Sequence, residues 1–219
     1  KVSKKYNLWL HVDGAFGGSV IFTEKYKSLV KGVEKSDSFC FNAHKTLGVP
    51  LSTSVLVVND VKCLEKSFGN KASYLYQTHD NDYNLGQTSF ECGRRNNALK
   101  LWTMWKSIGT KGISQIINHE FDLADFAREY VINNDNYKLY SFENSLSICF
   151  NYKKYDPIDL CSKLYEKNKV MVGFGYFNKQ CFVRLVTING ENSKKDILNF
   201  FKTLEEFVES NKDLIKKIK

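Results

Sequence analysis

Short apolar runs broken by small or polar residues dominate the first sixty positions, whereas much of the later chain carries apolar residues at helical spacing. The runs at 8–13, 37–42 and 54–58 are apolar on both faces and joined by short connections. They predict buried strands of a parallel or mixed sheet, with a helical stretch at 24–32 between the first two. Residues 71–91 turn polar without periodicity, with Gln77, His79, Asp82 and Gln87 set among Tyr74, Tyr76 and Tyr83, and read as a long surface loop of the kind that carries function. Beyond it, Leu99, Trp102, Met104 and Trp105 mark a helix over 95–108 that Gly109 closes, and a second helix spans 113–133. The remainder predicts a strand at 145–151, a helix to 168 opened by Asp156-Pro157, strands at 170–173 and 181–188, and a helix at 194–209. The Lys-rich end, 212–219, reads as a solvated helix tail. This order predicts an α/β layer followed by a small α+β domain.

Composition narrows the class. In 219 residues, 42% hydrophobic and 14% aromatic side chains suffice for a core and exclude a disordered or fibrous chain. Lys and Arg number 32 against 24 Asp and Glu, but the excess of +8 is scattered, so no nucleic-acid partner is required and none is expected. No apolar run approaches the roughly 18 residues of a membrane span, and no membrane association is expected. The six cysteines, Cys40, Cys63, Cys92, Cys149, Cys161 and Cys181, show no short paired spacing and sit in apolar or strand-like stretches. They predict buried, reduced thiols in a cytoplasmic setting, with neither a disulfide framework nor a metal site. The chain starts at Lys1 without an initiator Met and enters a strand almost at once, which suggests the back part of something longer.

Two strand ends carry the candidate chemistry. Asp13 closes the first run and is followed by Gly14-Ala15-Phe16-Gly17-Gly18, small residues that leave room above a sheet edge for a flat group. In open α/β sheets, ligands sit beyond the carboxyl ends of the strands. The second run ends in Asn42-Ala43-His44-Lys45-Thr46, so Lys45 reaches the same rim if the two strands are near neighbours. A lysine beside a histidine in a partly desolvated pocket can lose its proton and attack a carbonyl carbon, forming a Schiff base. Pyridoxal phosphate fits the pair chemically: Lys45 would hold the aldehyde, and Asp13 would keep the pyridine nitrogen protonated so that the ring acts as an electron sink. Taken singly, Asp13 could be a turn cap and Lys45 a solvated charge; the ordered combination points to chemistry.

The segments Trp9-Leu10-His11-Val12-Asp13-Gly14-Ala15-Phe16-Gly17-Gly18 and Asn42-Ala43-His44-Lys45-Thr46-Leu47-Gly48-Val49-Pro50, with Ser36-Asp37-Ser38 between them, resemble a known family. It is that of the pyridoxal-phosphate-dependent acidic amino-acid decarboxylases (group II), the glutamate and cysteine-sulfinate decarboxylases. The resemblance continues in family order through Ala72-Ser73-Tyr74-Leu75-Tyr76-Gln77, Cys92-Gly93-Arg94-Arg95, Leu99-Lys100-Leu101-Trp102-Thr103-Met104-Trp105-Lys106 and Phe182-Val183-Arg184-Leu185-Val186, essentially the whole chain. It implies an α/β fold-type-I PLP-dependent transferase fold, with residues 1–110 the carboxy-terminal part of the cofactor-binding large domain and 111–219 the small domain. Position by position, it implies that Lys45 is the Schiff-base lysine and Asp13 the pyridinium partner. Ala15 would pack against one ring face, and His44 would lie near the phosphate and the aldimine. Tyr83 would close over the site and return a proton after carbon dioxide departs. Arg184 would hold a substrate carboxylate by a two-pronged hydrogen bond; its place between Val183 and Leu185, where an unpaired charge would be costly, favours such a partner. Arg94 and Arg95, at the mouth of a helix, read as ion-pair or dimer contacts.

The activity implied is that of a homodimeric lyase acting on glutamate, cysteine sulfinate or aspartate. Gly14 stands where the family commonly has Ala, and Ala43 where it commonly has Pro, changes expected to leave Asp13 and Lys45 in place. The family's ring-stacking histidine and most of its phosphate-binding loop precede the first residue of this chain, which is therefore expected to be a fragment of the full enzyme. Two other readings stay open: another fold-type-I enzyme, such as an aminotransferase or desulfurase, or a non-catalytic remnant that binds a full-length partner or a polyanion. The Trp-rich helix after Cys92-Gly93-Arg94-Arg95 favours the decarboxylase.

Overall fold

A computed structural model describes residues 1–69, 88–91 and 93–218. Tyr83, Cys92 and most of the expected polar loop lie outside the described residues. The chain divides into two compact units, Lys1–Ser114 and Gln115–Lys219.

In the first unit a short helix α1 (Val2–Lys5) precedes one sheet, ordered β1 (His11–Asp13), β2 (Ser38–Asn42), β3 (Ser54–Val58). β1 runs parallel to β2 and β3 antiparallel to it, so the sheet is mixed as expected, and β3 falls on its expected residues. Burial on both faces, however, is approached only by β2, because β1 exposes His11 and Asp13 and β3 exposes Leu56 and Val57. Phe39 and Phe41 of β2 enter the core with Val20, Ala43, Leu47 and Val49. Phe22 meets Phe41 edge-on at 5.6 Å and Trp105 at 5.0 Å, a favoured aromatic geometry.

Several boundaries differ from the periodicity. β1 is shorter because the Leu10 N–H donates to the Asp37 carboxylate at 2.7 Å, a side-chain bond in place of a ladder bond, and Leu8 and Trp9 stand exposed. The expected helix at 24–32 is a four-residue 3₁₀ turn (Lys27–Val30), too short to nucleate an α-helix, and Gly32 at φ 102° ends the stretch. A further helix, α2 (Lys62–Phe68), starts where Asp60 accepts from the Lys62 N–H at 3.0 Å. Helix α3 (Asn97–Ile132) leaves helical geometry at Gly109 (φ 67°, ψ 175°), the glycine expected to end the first of two helices.

Gly14 is less interchangeable with alanine than its size suggests. A methyl there would meet the Phe39 ring at 2.6 Å, the Cys40 carbonyl at 2.7 Å and Gly18 Cα at 2.9 Å, two of the three being backbone. Gly14→Ala is expected to cost about 1–3 kcal/mol, the usual range for overpacking, read as a lower urea midpoint with an unchanged m-value.

The second unit holds an antiparallel sheet ordered β4 (Tyr137–Leu139), β5 (Ser147–Tyr152), β7 (Gln180–Val186), β6 (Gly173–Phe177). Asp156 caps α4 (Pro157–Glu166) by accepting from the Asp159 N–H, with Pro157 at the first turn as its spacing predicts. Ser193 and Asp196 form a capping box on α5 (Lys194–Ser210). Tyr130 stacks on Phe201 at 4.2 Å, and Phe201 meets Phe150 and Tyr137 at 5.7 and 5.5 Å, joining α3, α5 and the sheet. β6 starts later than the expected strand at 170–173, because Asn178 and Lys179 take positive φ (46° and 64°) in a two-residue hairpin turn that pairs Phe177 with Gln180. The chain end is not a helical tail: Ile215 is buried, and Lys216 and Ile218 bond back to Asp156, Asp159 and Lys154. Of the five described cysteines only Cys161 is buried, although all five are free thiols. No helix among the described residues is long and apolar enough to cross a membrane.

Candidate active site

Parallel pairing sends β1 and β2 to one rim. Asp13 lies opposite Cys40, and the pairing continues past β1 as Gly14 N–H donates to the Cys40 carbonyl (2.9 Å) and Asn42 N–H to the Ala15 carbonyl (3.2 Å). The turn after β2 is closed by Lys45 N–H to Asn42 O at 3.0 Å and Val49 N–H to Ala43 O at 3.1 Å. Thr46 Oγ1 donates to Ser19 Oγ at 2.5 Å, both residues buried, and so ties this turn to the loop that follows Asp13. The alternation of β2 separates two jobs: Phe39 and Phe41 fill the core, while Ser38 and Cys40 share the opposite face with His11 and Asp13.

Asp13 is exposed, and its Oδ1 accepts from Ala15 N–H at 2.9 Å and from the Cys40 thiol at 3.6 Å. These two bonds, with a smaller contribution from the charge of Lys45, hold its carboxyl below the usual range, so it is an anion at neutral pH. Lys45 is partly buried and lies within electrostatic reach of Asp13. His44 Nδ1 lies 2.9 Å from the Thr53 backbone N–H and 3.0 Å from the Thr53 carbonyl oxygen, so that residue fixes the orientation of the ring. Ala15 sits partly buried between Asp13 and the Gly17-Gly18 turn.

Asp13, Ala15, His44 and Lys45 thus belong to one unit, around two stapled loops. Arg184 belongs to the other, on β7, where it donates from Nε to Ser147 Oγ at 3.1 Å. Its side chain is exposed, so the burial cost invoked for it does not apply; strand alternation buries Val183 and turns Arg184 outward. Tyr83 lies outside the described residues. A groove of about 1020 Å³ on the first unit is lined by Thr53, Leu56, Phe68, Trp102 and Trp105 among others, and touches the His44 support but neither Asp13 nor Lys45. No group of His, Cys, Asp or Glu suited to a metal ion occurs among the described residues. Sequence reasoning assigned no role to Trp9, His11, Ser38 or Cys40; period-two alternation and parallel pairing were the signals that group them with Asp13.

Comparison with known proteins decides the family. Residues 1–153 match the pyridoxal-dependent decarboxylase conserved domain. The chain belongs to that family. Within the pyridoxal-dependent decarboxylases, it is 30% identical over 219 residues to acidic amino acid decarboxylase GADL1 of Mus musculus, covering 90% of this chain and 40% of that protein. To cysteine sulfinic acid decarboxylase of Homo sapiens it is 35% identical over 153 residues, 68% of this chain and 31% of that one. A crystal structure of mouse CSAD superposes with a TM-score of 0.82 at 27% identity, over 94% of this chain and 47% of that one. An Oryza sativa TDC structure with PLP and tryptamine gives a TM-score of 0.86 at 21% identity, over 95% and 46%, a likeness of fold alone. The chain therefore spans about 40% of the length of the GADL1 relative. Its fold is that of the fold-type-I pyridoxal-phosphate decarboxylases, as its sequence implies.

The family's chemistry is pyridoxal-dependent, and the residues present fit such a group. An ionised carboxylate with one oxygen already bonded twice, a lysine close enough to feel its charge, and a histidine whose ring is held through Nδ1 by Thr53 stand on two adjoining loops. They match a cationic ring nitrogen, an aldehyde and an anion respectively.

Proposed function

We propose that this chain supplies the cofactor-holding strand ends of a pyridoxal-phosphate-dependent decarboxylase acting on an acidic amino acid: glutamate, cysteine sulfinate or aspartate. The observation that carries the reading is the parallel β1–β2 pair, which ends with Asp13 and Lys45 on adjoining loops within electrostatic reach. The acidic substrate is supported by identities of 30% and 35% to an acidic amino acid decarboxylase and a cysteine sulfinic acid decarboxylase. When bound, the cofactor supplies a conjugated cationic ring that accepts the electrons left by the departing carboxylate. Lys45 would anchor it through Nζ, and Asp13 would keep a proton on the ring nitrogen by remaining ionised. Ala15 would lie against one ring face, its small side chain excluding water without crowding. His44 would lie beside the cofactor's anionic group. Arg184 would hold the substrate's second carboxylate, and Tyr83 would deliver the proton that completes the product.

Homodimerisation and a reducing, cytoplasmic setting belong to the same reading. Exposed Leu8, Trp9, Leu56 and Val57 give apolar surface to the chain taken by itself, and the five described cysteines are free thiols.

The protein carrying this chain, loaded with pyridoxal 5′-phosphate, should release carbon dioxide from at least one of the three acids. Formation of a keto acid or a persulfide without carbon dioxide would overturn the proposal. Arg184→Leu should raise KM for that substrate roughly ten- to hundredfold, the loss of a charge-assisted hydrogen bond, with a smaller change in kcat.

A further inference from the structure

Four side-chain contacts run in series along the face of β1 and β2 that carries Asp13. Trp9 Nε1 lies 2.8 Å from Ser38 Oγ, Ser38 Oγ 2.7 Å from His11 Nδ1, His11 Nε2 3.7 Å from Cys40 Sγ, and Cys40 Sγ 3.6 Å from Asp13 Oδ1. The two ends fix the direction. An indole N–H can only donate, and an ionised carboxylate can only accept. Cys40 therefore gives its single proton to Asp13 and accepts from His11 Nε2–H. In the neutral ring this leaves His11 Nδ1 bare, to accept from the Ser38 hydroxyl, which in turn accepts from Trp9. Every group in the series has one consistent role.

We propose that Cys40 is a positioning residue for Asp13, the last donor of a one-way hydrogen-bond chain from Trp9 through Ser38 and His11. The proposal rests on the functional reading above and adds a residue to it. With the Ala15 N–H at 2.9 Å, the thiol makes a second bond to Oδ1. Two donors on one oxygen resist rotation of the carboxylate, so that Oδ2 would be the oxygen offered to the ring nitrogen of a bound cofactor. The charged and titratable groups around the thiol, Asp13, His11 and Lys45, are those of the candidate site itself.

Two measurements decide it. In cofactor-free protein, the alkylation rate of Cys40 by iodoacetamide is read on its own peptide by mass spectrometry. Asp13→Asn should raise that rate at neutral pH roughly three- to tenfold, because removing the adjacent anion eases thiolate formation. An unchanged rate overturns the Cys40–Asp13 contact. In loaded protein, Cys40→Ala should shift the pH profile of the bound cofactor's visible absorbance, and Cys40→Ser, which keeps a donor, should restore it. Wild-type profiles in both variants, or a serine variant that behaves as the alanine one, overturn the positioning role. A wild-type protein that takes up no pyridoxal phosphate overturns the functional reading and with it any role toward the ring, while the alkylation rate still supports or overturns the contact.

Discussion

Lys45→Ala is expected to abolish the visible absorbance of bound pyridoxal phosphate and to lower turnover by about 10²–10⁴-fold, the scale on which a lost proton-carrying group acts. The loss should be chemical, not structural. The turn that presents Lys45 is held by buried Ala43, Leu47 and Val49, by its own backbone bonds and by the Thr46–Ser19 link, none of which uses the lysine side chain. The variant should therefore unfold at nearly the wild-type urea concentration. Lys45→Arg separates charge from covalent chemistry: it keeps the positive charge near Asp13 but offers no amine to an aldehyde, and should be as inactive as the alanine variant. The accompanying pH dependence follows from Asp13. Its carboxyl lies below the ordinary carboxylate range, so it stays ionised as pH falls from neutral to mildly acidic values, and activity should not decline there on its account. An alanine variant that retained absorbance and turnover would remove Lys45 from the site.

The parts of this architecture legible in the sequence are those encoded locally. A run of four apolar residues, Val55 to Val58, in the strand Ser54–Val58, a Pro after an Asp at the start of α4, and a glycine at position 109 each carry their own signal. The positions of Asp13 and Lys45 at one rim have local signals too, since Asp13 closes a strand ahead of Gly14-Ala15 and Lys45 follows one in the turn after Ala43. What was illegible depends on pairing. The series from Trp9 to Cys40 exists because His11 sits opposite Ser38 and Asp13 opposite Cys40; a slip of one residue would turn Cys40 to the other face. The hairpin of β6 and β7 turns on Asn178-Lys179, a pair without glycine, so the strand before it was placed too early. Arg184 looked buried because its neighbours in sequence are apolar, yet a strand buries alternate residues and it is the outward one. Glu120 escaped notice altogether, because a helical pattern does not reveal how far around its circumference α3 is covered.

Glu120 leads to the second large effect. It is 0% exposed, and neither carboxyl oxygen has a hydrogen-bond partner among the described residues. Burial pushes its pKa from 4.5 up to about 9, so at neutral pH it is a protonated acid inside the second unit. The unfolded chain ionises it near the ordinary value. Between about 4.5 and 9 the folded state thus holds a proton that the unfolded state lacks, and stability falls as pH rises, by about 1.4 kcal/mol per unit for one full proton. Stability from this group is greatest below the unfolded value and is lost as pH climbs through the folded one, amounting to roughly 6 kcal/mol over the whole window and about half that by pH 7. Glu120→Gln retains the shape and cannot ionise. The variant should match wild type near pH 4.5 and exceed it by several kcal/mol at pH 8, read as urea midpoints at the two pH values with equal m-values. Glu120→Met, which also removes the unpaired polar atoms, should add a further gain of about 1–3 kcal/mol at every pH. A difference between wild type and Glu120→Gln that stayed constant from pH 4.5 to 8 would mean that the carboxyl is ionised in the fold, and that a partner neutralises it.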